Sequence, residues 1–348
     1  MEKRVTLRDI AELTEVHFTT VGLALRRDPR VKPATTARVL AAAQELGYTH
    51  NAMLSALSAY RRTRGQRFAG VIAYVYNHPP EDYAENAAEA TLRNSVGLYA
   101  KSQGFSLETF RLGRTGLNAQ RLNRILRARG IQGVLLPPRM PVPGPMPELE
   151  WSDFSPVAVG YSITNVAAHR VCFHHAHNMR LCLRQLRSRG YKRIGLMVQQ
   201  EFSERSLGIM LGSYLAEQYA QPPGRQVEPL LMREVTKKDL GRWLRAQRVD
   251  CVMLPGYPLD ACAWIRELGY DVPNEMGICL ISRFSRSEDI AGIEEQNDLL
   301  GIAAGKSVVS LLQHNELGLP EYPLYTMVEG RWVDGPTVRA PQLPVAVG

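Results

Sequence analysis

The sequence lacks the features that would place this protein in a membrane or outside the cell. No stretch approaches the roughly 18 consecutive apolar residues that a membrane-spanning helix needs. The first residues, MEKRVTLRDIAEL, have no apolar signal-peptide core, so we expect the protein in the cytoplasm. Low-complexity tracts and repeats are also missing, and a composition of 45% hydrophobic and 22% charged residues is typical of a folded globular protein.

Cysteine is scarce and shows no CxxC spacing. An odd number of unpatterned cysteines is typical of buried, reduced thiols rather than of a disulfide framework. The stretch HRVCFHHAHNM at 169–179 holds chemically able zinc ligands, but no second Cys/His pair has the spacing of a structural zinc site. We interpret it as a crossover loop and expect neither a metal nor a cofactor.

Catalytic motifs are missing too. There is no Ser/His/Asp set or carboxylate pair at a catalytic spacing. GIAAGKS at 301–307 resembles a phosphate loop, but it has three residues between its glycines where that loop has four, and it lies inside a helical run. We therefore expect no enzyme.

Positive charge is concentrated at one end of the chain. The whole sequence carries a formal charge of +8, and residues 1–67 contribute +6 of it, from twelve Lys/Arg and six Asp/Glu. That distribution indicates that the N-terminal segment alone meets a polyanion.

The sequence divides into two parts with different residue patterns. Residues 5–47 contain three short helical patterns, of which the third follows Pro33 and stops at Gly47, so they predict a helix-turn-helix unit. From Phe68 onward, apolar runs such as FAGVIAYVY, GVLLP, VAVGY, RIGLMV, EPLLM, CVMLP and GICLIS alternate with helical stretches. This alternation predicts an α/β protein with two doubly wound parallel-sheet lobes behind an all-α N-terminal domain.

The N-terminal segment VTLRDIAELTEVHFTTVGLALRRDPRVKPATTARVLAAAQELGYTHNAMLSAL resembles the DNA-binding head of the LacI/GalR family of bacterial transcription regulators. The family spacing holds over this whole segment. Its matches lie at Thr6, Asp9, Ala11, Val16, Thr20, Val21, Leu25, Val31, Thr36, Arg38, Val39, Ala42, Leu46, Gly47, Tyr48, Asn51 and Leu57. LRSRGYKRIGLM, IRELGYDVPNEMGICLI and QNDLLGIAAGKSVVSLL are similar to later family segments.

The resemblance implies a helix-turn-helix head over 1–50, a hinge helix and linker over 51–66, and a regulatory domain over 67–348 shaped like a periplasmic binding protein. We place its N-lobe at about 67–162 and 293–322, and its C-lobe at about 163–292 and 323–348. It also implies a homodimer, or a dimer of dimers, on a palindromic DNA operator, because two heads related by a two-fold axis read two half-sites at once.

The resemblance assigns the head's DNA contacts residue by residue. Phe18, Thr19 and Leu23 take the positions that face base edges; Leu23 replaces the family's common Arg, and Glu15 replaces the Gly of the turn. Apolar Phe18 and Leu23 can contact thymine methyl groups, so we expect half-sites rich in A·T. The other assigned head residues are Thr6, Leu7, Arg8, His17, Thr20, Gly22, Arg26 and Arg30.

The hinge contributes Asn51, Leu54 and Leu57. In the family, the counterpart of Leu57 wedges into the minor groove, where an apolar side chain unstacks one base step and bends the duplex. The other interpretation is that Leu54 and Leu57 pack between two hinge helices.

A small ligand, a sugar or an anionic metabolite, would sit between the lobes at the carboxyl ends of the strands. Several polar residues of the family pocket are replaced here, for example by His174 and His175. A second alternative is therefore that the regulatory domain binds no ligand. A sugar-binding protein of the periplasmic type is the alternative function. The residues we expect to line the cleft are Tyr76, Asn77, Arg139, Tyr161, Arg205, Tyr257 and Arg283.

Overall fold

A computed structural model describes residues 7–25, 30–46, 70–77, 87–113, 117–138, 143–256, 260–283 and 289–341 of the chain. Its first unit is a three-helix head made of α1 (Leu7–Thr14), α2 (Phe18–Ala24) and α3 (Pro33–Glu45). Pro33 stands in the first turn of α3, as the sequence predicts. The head has a small apolar core of its own, formed by Ile10, Val21, Ala24, Val31, Val39, Ala42 and Ala43.

The turn between α1 and α2 depends on one unusual backbone conformation. Glu15 has a φ of +50°, in the left-handed region that glycine occupies most easily. This is the position where the resembled family has Gly. At the end of α1, the Thr14 hydroxyl donates a hydrogen bond to the carbonyl oxygen of Ile10 at 2.6 Å. The last turn of the helix is thus stabilised by one of its own side chains.

The first lobe is built on a six-stranded parallel sheet. Its strands are β1 (Gly70–Tyr76), β2 (Phe105–Arg111), β3 (Gly133–Leu136), β4 (Ser155–Val159), β5 (His169–Phe173) and β11 (Tyr325–Val328). The spatial order is β11-β5-β4-β3-β1-β2. Three helices accompany it: α4 (Ala87–Ser102), α5 (Ala119–Ala128) and α11 (Asn297–His314).

Helices α4 and α11 approach each other closely through glycines. A Cβ on Gly301 would lie 2.4 Å from the carbonyl oxygen of Leu92, and a Cβ on Gly305 would lie 2.9 Å from the ring of Tyr99. These are the two glycines of the GIAAGKS stretch, which lies within α11 as the sequence indicates. Their role here is helix packing.

The second lobe holds the other sheet, in the order β12-β10-β9-β8-β6-β7. Its strands are β6 (Ile194–Gln199), β7 (Leu230–Met232), β8 (Cys251–Leu254), β9 (Gly277–Arg283), β10 (Gly292–Glu294) and β12 (Arg331–Val333), of which β12 alone pairs antiparallel. Its helices are α6 (His175–Arg187), α7 (Gln200–Arg205), α8 (Ile209–Tyr219), α9 (Lys237–Gln247) and α10 (Asp260–Glu267).

The predicted fold class, two parallel-sheet α/β lobes behind a helical head, is confirmed. Two strands lie in the first sheet although the predicted ranges placed them in the C-lobe: β5 and β11. Each crossing between the lobes therefore falls a few residues later in the chain than predicted. The 169–179 stretch is also not a loop, because it forms β5 and the start of α6.

All five cysteines are buried and free, as expected for reduced thiols. The helices of the described residues include none that is long and apolar enough to cross a membrane.

Candidate DNA-binding and effector sites

Helix α2 presents one large apolar side chain to solvent. Val21 and Ala24 are fully buried in the head core, whereas Phe18 at the start of the helix is 43% exposed. The His17 ring lies against Phe18, with 4.4 Å between the ring centroids. An exposed aromatic residue at a helix N-terminus, held by a neighbouring ring, is available for contact with a base edge.

Leu23 differs from the expectation of an exposed base reader. It is half-buried and packs against the head core. At about 100° per residue, Leu23 lies well around the helix from both buried residues, Val21 and Ala24, so only part of its side chain reaches the core. Thr20 and Gly22 are also half-buried.

Several predicted DNA contacts cannot be placed on this surface. Thr6, Arg26, Asn51, Leu54 and Leu57 lie outside the described residues. For Leu7, Arg8 and Thr19, only the helical backbone is described, while Arg30 is exposed in the turn before α3.

Within the described residues, the chain passes between the lobes three times, after β5, β10 and β11, and the three crossings bind one another. The amide of Gly330 donates to Oδ1 of Asn178 at 2.8 Å, and Nε2 of Gln296 donates to the carbonyl of Glu329 at 2.8 Å. Nδ1 of His177 lies 3.3 Å from Oε1 of Glu329. These contacts join the three crossings into one surface at the carboxyl ends of the strands. We call this surface, formed by residues 174–178, 295–297 and 329–330, the floor.

Two ionisable side chains are buried in this floor. Nδ1 of His175 lies 3.9 Å from Oε1 of Glu295, and the two side chains are 12% and 11% exposed. Burial lowers the pKa of His175 to about 4, and the nearby charge of Arg205 contributes in the same direction. Burial raises the pKa of Glu295 to about 7, although a hydrogen bond from Ser282 and the charge of Arg205 oppose that rise.

The second lobe supplies the polar neighbours of this pair. Ser282, near the end of β9, donates its hydroxyl to Oε2 of Glu295 at 2.7 Å. Arg283 follows it as the last residue of β9. Arg205 ends α7, with its guanidinium 5.2 Å from the centroid of the Phe202 ring. Of the predicted site residues, Arg205 thus lies near the His175–Glu295 pair, and Arg283 stands beside Ser282 at the end of β9.

Aromatic rings from the first lobe adjoin His175. The rings of Tyr161 and Phe173 lie 5.9 and 6.3 Å from the His175 ring, and Tyr325 stacks on Tyr161 at 6.1 Å. The Tyr161 hydroxyl accepts a hydrogen bond from Sγ of Cys172 at 3.0 Å, and burial raises the pKa of Tyr161. A third predicted residue, Tyr161, therefore belongs to the same site.

Tyr76 and Asn77 form a second group, at the end of β1. The guanidinium of Arg111 lies 4.4 Å from the centroid of the Tyr76 ring. Tyr76 is buried, and both amide atoms of Asn77 are buried without a hydrogen-bond partner among the described residues. Because a buried polar group without a partner is costly, it marks a place that a ligand or water can satisfy.

The remaining predicted cleft residues, Arg139 and Tyr257, lie outside the described residues. Sequence reasoning missed Glu295, Ser282, Arg111 and Tyr325. Glu295 follows a strand of only three residues, and Tyr325 lies in a short exposed strand, so neither has an apolar run beside it to signal a strand end. Within the described ranges, no group of three or more His, Cys, Asp or Glu side chains is arranged to hold a metal ion.

Comparisons with known proteins agree with this architecture. A family model described as "Bacterial regulatory proteins, lacI family" matches residues 6–51. A search of curated protein sequences found no match.

Solved structures are similar over most of the chain. The transcriptional regulator CelR in complex with cellobiose is 19% identical, with a TM-score of 0.53 over 96% of this chain and 100% of that one. The lac repressor dimer bound to operator and the anti-inducer ONPF is 17% identical, with a TM-score of 0.54 over 97% and 100%.

A periplasmic binding protein/LacI transcriptional regulator from Alkaliphilus metalliredigens, complexed with D-xylulofuranose, is 12% identical, with a TM-score of 0.54 over 78% of this chain and 99% of that one. At these identities the structures show a shared fold, while the family model identifies the head. Residues 6–51 therefore match the lacI family of bacterial regulatory proteins, and the rest of the chain shares the two-lobed fold of the regulatory domain in these solved structures.

Proposed function

We propose that this protein is a homodimeric repressor that binds a palindromic operator through its two heads and responds to a small molecule bound between its lobes. The observation that carries the proposal is the head, in which α2 buries Val21 and Ala24 and presents Phe18 to solvent. Members of this family are in general not enzymes, and we propose no catalytic role. A DNA-bound regulator of this kind acts in the cytoplasm.

DNA recognition would place α2 in the major groove, with Phe18 against thymine methyl groups and Thr19, Thr20 and Leu23 beside it. Because Leu23 packs partly on the head core, we give Phe18 the larger share of base contact. Thr6, Leu7, Arg8, His17, Gly22, Arg26 and Arg30 are proposed to position the head on the phosphates, and Asn51, Leu54 and Leu57 to form the hinge contact.

Effector control would act through the floor between the lobes. A ligand that touches both lobes stabilises one relative arrangement of them, and it can change DNA affinity only if it binds the two arrangements differently. The group formed by Tyr161, His175, Arg205, Ser282 and Glu295 is the proposed site, because ionisable side chains with shifted pKa values converge there beside aromatic rings.

Selection of bound DNA from a random pool by the full-length protein tests the central proposal. We expect a palindrome with A·T-rich positions in each half-site, and affinity that falls steeply with salt because the basic head releases counterions from phosphate. Sedimentation of the protein with the selected DNA should give two chains per duplex. Enrichment of no palindrome, or one chain per duplex, contradicts the proposal.

A further inference from the structure

Strand β11 forms one edge of the first sheet, and part of its backbone faces away from that sheet. The carbonyl oxygens of Leu324 and Val328 accept hydrogen bonds at 2.9 and 2.8 Å from backbone amides of β5 and of the residue that follows it. Alternate residues of a strand bond to the same neighbour, so the backbone groups of Tyr325 and Met327 point away from β5. Among the described residues, no second strand pairs with β11 on that side.

The side chains along this edge are apolar and exposed. Tyr322, Leu324, Tyr325 and Met327 have exposed fractions between 47% and 75%. The strand itself, YTMV, contains no charged residue and no proline, which are the residues that normally protect an edge from pairing with another strand. The opposite edge of the same sheet, β2 (FSLETFR), carries both a glutamate and an arginine. The β11 edge is therefore the one suited to strand pairing.

This edge is complementary to itself in an antiparallel arrangement. With a two-fold axis at Thr326, Tyr325 of one copy lies opposite Met327 of a second copy, and the backbone groups of both residues point outward. Each such pair can exchange two hydrogen bonds, and the axis produces the pair twice. The side chains of Tyr325 and Met327 then lie on one face of a continuous sheet, where directly opposed apolar residues contact each other.

The apolar area at the edge is large enough for a specific contact between two copies. A tyrosine or another large side chain buries roughly 150–250 Å² when it is fully covered, so the four exposed side chains offer about 500 Å² in each copy. Two copies would together bury about 1,000 Å² of side-chain surface, which is the area that a specific interface needs. A second copy covers this patch with an equal apolar patch of its own.

We propose that the β11 edge binds the β11 edge of a second copy of this chain and in this way joins two DNA-binding dimers. This inference rests on the proposed homodimer. All strands of the first sheet are parallel, so antiparallel pairing at β11 makes the chain enter β1 at Gly70 from opposite ends in the two copies. Such a pair does not set two heads side by side on one operator. The contact therefore joins two dimers, each of which binds its own operator.

Sedimentation of the full-length protein over a range of concentrations tests the proposal. The wild type should form tetramers at micromolar concentration and dimers on dilution. Met327→Lys and Met327→Glu each place like charges on the two sides of the axis, and each should raise the dissociation constant of the tetramer by about tenfold or more. The two side chains at position 327 are diagonal neighbours across the axis, so a mixture of the two variants should form tetramers again. A variant that had misfolded would not be rescued in this way.

Tyr219→Lys is the control, because Tyr219 is also an exposed apolar residue, at 89%, but ends α8 in the second lobe. It should form tetramers like the wild type. A wild type that stays dimeric at every concentration would leave the edge to a strand of another protein and overturns the proposal. Met327→Lys tetramers as stable as those of the wild type, or a mixture that stays dimeric, overturn it as well.

Selection of bound DNA separates this inference from the proposed function on which it rests. Met327→Lys should remain a dimer and should still enrich the palindrome that the wild type enriches. Tetramers are then lost while operator binding is kept. A wild type that sediments as a monomer and enriches no palindrome contradicts the proposed homodimer itself.

Discussion

Nδ1 of His175 lies 3.9 Å from Oε1 of Glu295, and burial shifts the pKa values of both groups toward their neutral forms. The two residues lie on different crossings between the lobes, one at the start of α6 and one just before α11. At neutral pH His175 is therefore uncharged and Glu295 is only partly ionised, in a place where an ion is poorly solvated. Its two members give opposite dependences of stability on pH.

Glu295→Gln should stabilise the protein at alkaline pH. The pKa of Glu295 is about 7 in the folded protein and 4.5 ordinarily, so its stabilising contribution is complete below about pH 4.5 and is lost as pH rises through 7. As the pH rises from about 4.5 to about 7, the free energy of unfolding of the variant should increase by roughly 2–3 kcal/mol relative to that of the wild type. Urea unfolding across that range measures the gain.

Ser282→Ala provides the companion variant. It removes the hydroxyl that donates to Oε2 of Glu295, so the pKa of Glu295 in the folded protein should rise further. The loss of stability should then begin near pH 4.5 as in the wild type, but it should continue to a higher pH and be larger. If Glu295→Gln and wild type have parallel stability profiles, Glu295 does not titrate in this environment.

His175→Gln should protect the protein from mild acid. The pKa of His175 is about 4 in the folded protein against 6.5 ordinarily, so wild type loses stability as pH falls from 6.5 toward 4, where the unfolded chain binds the proton first. The variant should lack that loss, which is on the order of 3 kcal/mol. The double variant with Glu295→Gln should have the flattest profile, and a steep acid limb in His175→Gln would contradict the assignment.

Phe18→Ala should weaken DNA binding without weakening the fold. Phe18 is 43% exposed, so removing its ring costs little packing but removes the proposed contact with a thymine methyl group. We expect the affinity for the selected operator, measured by fluorescence anisotropy, to fall about fivefold, which corresponds to about 1 kcal/mol. Leu13→Ala removes another exposed apolar side chain, from α1, and is the control. Equal affinities of the two variants would remove Phe18 from the interface.

The sequence predicts the fold well where burial is complete on both faces of a strand. β3, β8 and β9 are apolar runs and were recognised, whereas β2 (FSLETFR) is a mostly half-buried edge strand whose polar residues conceal it. Helices α5 and α9 were missed because long arginine-rich faces dilute their apolar residues.

The candidate site was predictable only in part, for a different reason. Tyr161 and Arg283 stand at or just after the ends of strands that the sequence predicts, so their place at the carboxyl edge of a sheet follows from topology. The partnership of His175 with Glu295 joins positions 120 residues apart through short strands that carry little pattern. No local periodicity specifies such a contact.

Glu15→Gly should stabilise the head. Glu15 has a φ of +50°, which costs about 1–2 kcal/mol for a side chain with a Cβ, and glycine relieves that cost while losing about 0.4–1 kcal/mol of unfolded-state entropy. The net gain should be up to about 1 kcal/mol. Hydrogen exchange of head amides in the full-length protein measures it. Glu12→Gly, within α1, should instead destabilise the head by about 1 kcal/mol, and equal effects of the two variants would argue against strain at Glu15.

Gly301→Ala should separate α11 from α4. A Cβ at this position would lie 2.4 Å from the carbonyl oxygen of Leu92 and 2.8 Å from Cβ of Ser95, so backbone rather than a flexible side chain must move. We expect a loss of about 2–3 kcal/mol in first-lobe stability, measured by hydrogen exchange of α4 and α11 in the full-length protein. Gly212→Ala is the matched control, because it is also a helical glycine but a Cβ there would meet nothing within 4 Å. That variant should be neutral or slightly stabilising, since alanine favours helix by about 1 kcal/mol. Equal stability of the two variants would show that α4 and α11 do not depend on a glycine contact.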